Sequence, residues 1–189
     1  KATFDPDSLR DNCELIKDIV AMANTGGGVI VFGVNDNSSP AAYELSRISK
    51  LDPAFWVDKV AAYTGLQLAD LDAEVTSRNS HDVVALLIPA APLPIVFIRP
   101  GTYQDDESKK HQTTAFGRGT VYFRHGAKSE PGTNEDIRKA MDRALDRVRS
   151  LWSKGIRKVV EAPEDHVVHV LPIATTGPVL STSPTGRIV

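Results

Sequence analysis

The sequence predicts an α/β protein of the α+β type, in which a mixed sheet with a buried central strand is flanked by helices. Three observations predict this fold class. A helix-periodic segment leads through a triple glycine into an unbroken apolar, β-branched run at residues 29–34. Two strand-like segments flank a polar turn at residues 79–82, and a long helix-periodic segment begins near Thr133.

The first helix is expected to start near Asp5 and Pro6, because an acidic cap precedes a proline at the first helical position. Asn24 and the three glycines end it, since glycine adopts the left-handed conformation that helix ends often need. Residues 29–34 then form the central strand, buried on both faces. The predicted inward stripe of this helix is Leu9, Cys13, Ile16, Val20 and Ala23.

A second helix opens at Asp52–Pro53 and continues to about Tyr63. Residues 71–78 and 83–88 predict a hairpin, residues 94–99 and 120–124 predict short strands, and residues 104–114 predict a polar loop. Thr133 and Asp136 resemble a helix-start box. The long helix that follows is expected to face inward through Ile137, Ala140, Met141, Ala144, Leu145, Val148 and Leu151.

The 189 residues suit one domain at residues 1–158, followed at 159–189 by a linker or the start of a further domain. Because no apolar run approaches the ~20 residues of a membrane span, we expect no membrane partner and a cytoplasmic protein. A lone cysteine, Cys13, excludes an internal disulfide and a multi-cysteine zinc site.

Charge is distributed unevenly along the chain. Residues 1–117 contain 10 Lys and Arg against 16 Asp and Glu, whereas residues 118–158 contain 11 against 5. One locally basic segment within an acidic chain is typical of a binding surface for an anionic partner.

Two motifs have a structural and a functional interpretation each. The triple glycine could bind phosphate, but phosphate loops run from strand to helix, and here the helix comes first and presents its negative end. A helix cap before a tight turn is the alternative. Asp36 could hold a divalent metal, which needs further carboxylates, or it could be a turn residue that bonds to its own backbone.

The basic segment also leaves two interpretations open. In residues 116–128, Arg118, Arg124, His125 and Lys128 alternate with Phe116, Tyr122 and Phe123. This pattern suits either a nucleic-acid groove or a half-buried strand with its aromatics in the core. Lys139, Arg143 and Arg147 recur at helical spacing, which is typical of either a phosphate-tracking ridge or a solvated outer face.

The sequences AMANTGGGVIVFGVND (residues 21–36) and VYFRHGAKSEPGTNEDI (residues 121–137) together resemble the Schlafen-type Alba-like domain, also called AlbA_2. The resemblance covers most of residues 1–151 and implies a mixed α/β fold. Its structural motif falls on Asn24, Gly26, Gly27, Gly28 and Gly33.

The resemblance implies a nucleic-acid-binding domain of a larger microbial-type protein, with DNA or RNA as partner. The residues expected to contact phosphates are Arg118, Arg124, Lys128, Lys139, Arg143 and Arg147. Many microbial relatives are described as DNA- or ATP-binding, but a nucleotide role is disfavoured here by the order of helix and glycines.

One alternative implied by the resemblance is a metal-dependent endoribonuclease in the full-length parent. In such an enzyme, three carboxylates would hold Mg²⁺ or Mn²⁺. Only one of the three, Asp36, can be assigned in this chain, where it would be both a catalytic and a metal-binding residue. The two glutamates of the family pattern would lie before Lys1. Otherwise no cofactor is predicted. A further alternative is an oligomerisation or scaffold module, in which the long helix packs on a second copy or on another domain.

Overall fold

The computed structural model describes residues 1–35, 37, 39–41, 53–78, 81–104 and 112–160. Three helices and seven strands lie in these ranges. In chain order they are α1 (Leu9–Thr25), β1 (Gly28–Phe32), α2 (Pro53–Thr64), β2 (Asp72–Arg78), β3 (His81–Ile88), β4 (Gly101–Gln104), β5 (Gln112–Phe116), β6 (Tyr122–His125), β7 (Lys128–Pro131) and α3 (Asn134–Val160).

Helix α1 begins three residues later than the Asp5–Pro6 pair predicts. Ser8 is its N-cap and accepts a hydrogen bond of 3.2 Å from the backbone N–H of Asp11. The serine hydroxyl supplies the cap that the sequence assigned to Asp5. The rest of the predicted stripe is buried, but Leu9 is 53% exposed, because it occupies the first residue of the helix.

Strands β1, β3 and β2 form an antiparallel sheet in that order. The central strand is therefore β3, and the prediction that residues 29–34 form the central strand, buried on both faces, is wrong. Val29 is half exposed, and the outer edge of β1 meets the first residue of the chain. There Lys1 N donates to Val31 O, and Gly33 N donates to Lys1 O at 3.0 Å.

Two small antiparallel sheets complete the strand structure, β4 with β5 and β6 with β7. The described strands thus pair in three antiparallel sheets rather than in one mixed sheet. Strand β5 occupies part of the predicted loop at 104–114; residues 105–111 lie outside the described ranges. Residues 94–99 are not a strand, although Ile95 and Phe97 are buried.

The core lies around α1, which contacts α2, β3 and all four strands from β4 to β7. Two groups of aromatic rings belong to the same buried core as its apolar side. Phe4, Phe32 and Trp56 have ring centroids within 5.3 to 6.3 Å of one another. Phe97 stacks on Phe116 at 3.9 Å. The combination of helices with antiparallel sheets confirms the predicted α+β class.

The chain divides into two compact units, Lys1–Asp142 and Arg143–Val189. The predicted domain boundary at 158/159 stays a prediction. In the described ranges, no helix combines the length and the hydrophobicity needed to cross a membrane.

The predicted inward face of α3 is wrong. Ile137, Met141, Leu145, Val148 and Leu151 are 36% to 60% exposed, whereas Ala140 is buried. The start of the helix agrees with the prediction: Thr133 N donates to Asp136 Oδ2 at 2.9 Å, and Asp136 N donates to Thr133 Oγ1 at 3.3 Å. Periodicity located the apolar side of the helix but could not say whether anything covers it.

Candidate nucleic-acid interface

Asn24 holds the end of α1 against two distant segments. Its Oδ1 accepts from Ile95 N at 2.7 Å, and its Nδ2 donates to Ile95 O at 3.1 Å and to Tyr122 O at 3.0 Å. The side chain is buried; its two bonds to Ile95 satisfy buried backbone groups, and its bond to Tyr122 satisfies a partly buried one. Asn24 thereby fixes the position from which strand β6 starts.

The glycines reverse the chain between α1 and β1. Gly26 and Gly27 have φ values of 118° and 85°, and Gly27 N donates to Met22 O at 2.8 Å. A Cβ at Gly27 would lie 2.6 Å from the carbonyl oxygen of Ile88. The turn is therefore a helix cap in close contact with β3, at the carbonyl end of α1, where the helix dipole disfavours an anion.

Thr25 links α1 directly to strand β6. Its hydroxyl donates to Ala21 O at 2.7 Å and accepts from the backbone N–H of Arg124 at 2.8 Å. The β6–β7 hairpin, which holds two of the predicted phosphate ligands, is thus bonded to the last turn of the helix. Nothing in the sequence pattern distinguished Thr25 from an ordinary helix-end threonine.

Arg124 is engaged by the fold. Its Nη1 lies 3.2 Å from Asp18 Oδ1 and donates to Ser129 Oγ at 3.0 Å, while Nε donates to Gly126 O at 3.1 Å. Asp18 also pairs with Lys1 Nζ at 2.9 Å and accepts from Ser129 Oγ at 2.7 Å. Arg124 Nη2 has no partner within the described part of the chain.

A partly open cavity of about 210 Å³ adjoins this charge cluster. Lys1, Asp18 and Arg124 form its polar side, and Met22, Val29 and Val31 form its apolar side. Two cations against a single carboxylate give the cavity a positive balance. Arg124 therefore lines a concave surface beside the exposed edge of β1.

Two other predicted cations have no acidic partner among the described residues. Arg118 lies exposed in the turn between Gly117 and Gly119, and Lys128 lies exposed at the tip of the β6–β7 hairpin, where it pairs in register with His125. Their charges are not neutralised by the residues that the structure describes.

Arg99 is a third exposed cation, and it lies outside the motifs that the sequence singles out. Phe97 N donates to Thr120 O at 3.1 Å, and Gly119 N donates to Phe97 O at 2.7 Å. These bonds bring the segment of Arg99 beside the turn of Arg118. No sequence signal joined the two, because the segments are paired through backbone bonds outside any regular strand.

His125 is the last residue of β6, at the tip of the β6–β7 hairpin, and lies between two carboxylates. Its Nδ1 is 3.1 Å from Glu130 Oε2, and its Nε2 is 2.9 Å from Asp136 Oδ1. The hydrogen bonds to Asp136 and then Glu130 raise the pKa of His125. The bonds from Thr133 and His125 hold the pKa of Asp136 at about 2, so this carboxyl is charged at neutral pH.

The aromatic rings of residues 116–128 are not available to stack on bases. Phe116 and Phe123 are buried, and the Tyr122 ring packs edge-on against Phe97 at 5.9 Å. The interpretation of this segment as a half-buried strand with its aromatics in the core is therefore correct for the rings. Any nucleic-acid contact here has to come from the cations alone.

The predicted helical ridge is divided between the two units. Lys139 belongs to the first unit, and its Nζ lies 3.6 Å from Glu135 Oε1. Glu135 Oε2 also pairs with Arg138 Nη2 at 2.9 Å. Arg143 and Arg147 are exposed residues of the second unit. Arg118, Arg124, Lys128 and Lys139 thus share a unit, and the contribution of the ridge stays a prediction.

Asp36, the predicted metal-binding acid, lies outside the described residues. The turn around it is hydrogen-bonded: Asn35 N donates to Ser39 O at 2.9 Å, and Ser39 N donates to Asn37 Oδ1 at 3.0 Å. Within the described ranges, no cluster of three or more His, Cys, Asp or Glu side chains could hold a metal ion.

Comparison with solved structures gives a similarity to the DIP2311 protein from Corynebacterium diphtheriae, a structural genomics target. The sequences are 17% identical, the TM-score is 0.42, and the match covers 69% of this chain. The chain spans 22% of the length of that protein. No curated protein matches the sequence.

The family model described as Schlafen, AlbA_2 matches residues 1–133. The match includes residues 21–36, the first segment of the resemblance, and residues 121–133 of the second, which contain the β6–β7 hairpin. It ends at Thr133, the residue that starts the capping box of α3. The chain therefore belongs to the Schlafen AlbA_2 family.

Proposed function

We propose that this domain binds DNA or RNA through the phosphate backbone, on a surface formed by the Arg118 turn and the β6–β7 hairpin. Membership of the Schlafen AlbA_2 family is consistent with nucleic-acid binding. The positive balance of residues 118–158 within an acidic chain adds to that support, because cations that displace the counterions of phosphates supply most of non-specific affinity.

The observation that carries the proposal is the contrast between paired and unpaired cations. Arg138 and Lys139 have a carboxylate partner within 4 Å, whereas Arg118 and Lys128 have none among the described residues. An unpaired, exposed cation can contact a phosphate without giving up an existing ion pair. Arg118 and Lys128 are therefore the main proposed contacts.

Arg124 and Arg99 would extend this surface. Arg124 is held rigidly by Asp18 and Ser129 and still presents Nη2, so it can donate to a phosphate oxygen without leaving its place. Because Phe116 and Phe123 are buried and the Tyr122 ring packs edge-on against Phe97, the surface offers no platform for base stacking. We expect binding that depends on backbone charge and tolerates many sequences.

The test is fluorescence anisotropy with labelled single-stranded RNA, single-stranded DNA and duplex DNA across a salt series. Replacing Arg118 and Lys128 together by alanine removes two proposed phosphate contacts. The slope of log affinity against log salt should become shallower by about 1.4 on single strands and about 1.8 on a duplex.

The matched control is the double variant Arg138→Ala with Arg149→Ala. It removes the same formal charge, but each of these arginines already pairs with an acid three residues before it. We expect its salt slope to match that of the unchanged protein. Equal losses in both variants would assign binding to net charge alone, and no binding at low salt would refute the proposal.

A second candidate is a divalent-metal-dependent endoribonuclease that uses Asp36. One observation favours it: the backbone of Lys1 bonds to Val31 and Gly33, beside the strand that leads to Asp36. The resemblance implies two glutamates before Lys1, and they would continue from a residue whose backbone is bonded to β1 and Gly33.

Cleavage of RNA by the longer parent protein in Mg²⁺ or Mn²⁺ tests this candidate. Asp36→Asn should abolish cleavage while leaving binding in chelator unchanged. Asn37→Ala, a neighbouring turn variant, is the control and should still cleave. RNA cleavage that survives Asp36→Asn would remove this candidate and leave the binding proposal intact.

A further inference from the structure

The part of α3 that belongs to the second unit exposes a continuous apolar face. We define this apolar face as Leu145, Val148, Leu151, Trp152 and Ile156. These side chains are 49% to 72% exposed, with Trp152 the most exposed. At 100° per residue they lie within a sector of about 140°, a width typical of helices that bury one side.

Cations border the apolar face on both sides. By helical spacing, Arg149 lies on one flank, and Arg147 and Lys154 lie on the other. Arg149 pairs with Asp146 at 3.2 Å, and that exposed pair is weak. Arg147 and Lys154 are exposed and have no acidic partner in the described ranges. Residues 143–158 together contain six Lys and Arg and a single Asp.

We propose that this part of α3 lies flat on an anionic lipid surface. Such a helix has a broad apolar sector, a cationic polar side and a large aromatic residue that anchors at the boundary between headgroups and acyl chains. A planar anionic surface meets both cationic flanks at once. The long stems of Arg147, Arg149 and Lys154 can then follow the apolar surface while their charges reach the headgroups.

Charge argues against a second copy of this helix as the partner, and the exposed apolar side chains argue against a nucleic acid. A second copy would bring together two segments that each carry six cations and one acid, and like charges along a helix pair repel. A nucleic acid would satisfy the cations but would leave Trp152 and its apolar neighbours in water. An anionic bilayer satisfies both chemical features of the face.

This inference revises the expectation of no membrane partner. That expectation rested on the absence of a spanning segment, and a surface helix needs none. It also assigns Arg147, a predicted phosphate contact, to phospholipid headgroups.

The experiment is co-sedimentation of the full chain with vesicles of phosphatidylcholine and phosphatidylserine in equal parts, compared with vesicles of phosphatidylcholine alone. Trp152 fluorescence is followed with brominated lipid in the bilayer, which quenches only nearby indoles; the other tryptophan, Trp56, is buried. We expect binding and quenching with the anionic vesicles and at least tenfold weaker binding to the neutral ones.

Two variants separate the apolar and the charge contributions. Trp152→Ser should abolish quenching and weaken binding to anionic vesicles, and Arg147→Glu with Lys154→Glu should weaken it by at least tenfold. Leu93→Ala is the matched control, because Leu93 is 59% exposed in the first unit; it should bind like the unchanged protein. All these side chains are exposed, so the variants should fold.

Several outcomes would overturn the inference. They are no sedimentation with anionic vesicles, equal binding to neutral vesicles, or a Leu93→Ala variant that loses as much affinity as Trp152→Ser. A concentration-dependent dimer that disappears in Trp152→Ser, without vesicle binding, would reassign the face to a second copy. RNA binding that Trp152→Ser abolishes, again without vesicle binding, would reassign it to nucleic acid.

Discussion

Asn24 shows how one side chain can position a binding surface that it does not join. Its three hydrogen bonds reach Ile95 and Tyr122, which lie 71 and 98 residues further along the chain. The sequence marked Asn24 as part of a helix-end motif, but the partners could not be predicted. They are backbone groups, and backbone groups carry no residue-specific signal.

Asn24→Ala should destabilise the fold by about 2–4 kcal/mol, because it leaves Ile95 N–H and two carbonyl groups without partners in a buried place. Urea denaturation followed by circular dichroism measures this change. The control is Asn37→Ala, an exposed turn residue, which should cost under about 1 kcal/mol. Similar losses in the two variants would contradict the role assigned to Asn24.

His125 should make stability depend on pH near neutrality. Neighbouring carboxylates raise its pKa in the folded state, so the protonated imidazole stabilises the fold. That contribution is fully present below the unfolded pKa of about 6.5 and is lost as the pH rises through the raised folded value.

The measurement is the difference in Tm between the unchanged protein and His125→Gln across this range. The difference should be largest below the unfolded pKa of about 6.5 and should shrink as the pH rises through the raised pKa of the folded state. A His125 difference that grows with pH would contradict the assignment of the charged form as the stabilising one.

Arg124 limits what residue patterns can reveal about a site. The sequence identified it as an exposed phosphate ligand, and the structure pairs it with Asp18, 106 residues earlier. Asp18 lies on the same helix as Asn24, but no sequence pattern indicated that it would pair with Arg124. Local charge predicted Arg118, Arg124 and Lys128 but not Arg99, and which of these cations are already paired depends on the tertiary fold.

At the scale of elements, the glycine turn is the most constrained connection. Gly27 combines a positive φ with a close approach to Ile88 O, whereas a Cβ at Gly26 would meet nothing within 4 Å. Both glycines have a left-handed backbone conformation, but only Gly26 has room for a Cβ atom.

Gly26→Ala should cost about 1–2 kcal/mol, the strain of alanine in a left-handed conformation. Gly27→Ala should cost at least about 2 kcal/mol more, because its methyl group also displaces the backbone of β3. Thermal unfolding of the two variants checks the order. Equal destabilisation would mean that the close approach to β3 is easily relieved.

The elements themselves were mostly predictable, and their environments were not. Helices α1 and α2, the β2–β3 hairpin and the start of α3 follow from caps, prolines and periodicity. The same patterns placed β1 at the centre of the sheet and the apolar side of α3 in the core. An apolar pattern indicates that burial of a surface would be favourable. Only the tertiary structure shows which of these surfaces are buried.

At the scale of the molecule, the buried residues of the described ranges all lie in the first unit, from Phe4 to Ala140. A protein truncated after Asp142 should therefore keep its core.

We expect this truncated protein to unfold cooperatively with a Tm close to that of the full chain and to retain nucleic-acid binding by Arg118 and Lys128. It should lose binding to anionic vesicles. Calorimetry, anisotropy and co-sedimentation on the same sample test the three statements. A truncated protein without a cooperative transition would show that the second unit supports the core of the first.

The bonds from Asn24 and Thr25 to strand β6 also bear on the order in which the protein folds. Each closes a loop of nearly one hundred residues. The chain loses the conformational entropy of that loop before the contact contributes any favourable free energy. Local pieces such as α1 and the β2–β3 hairpin can form earlier. The hairpin that presents Lys128 would then be fixed late, so the proposed binding surface is absent from early folding intermediates and marks the completed domain.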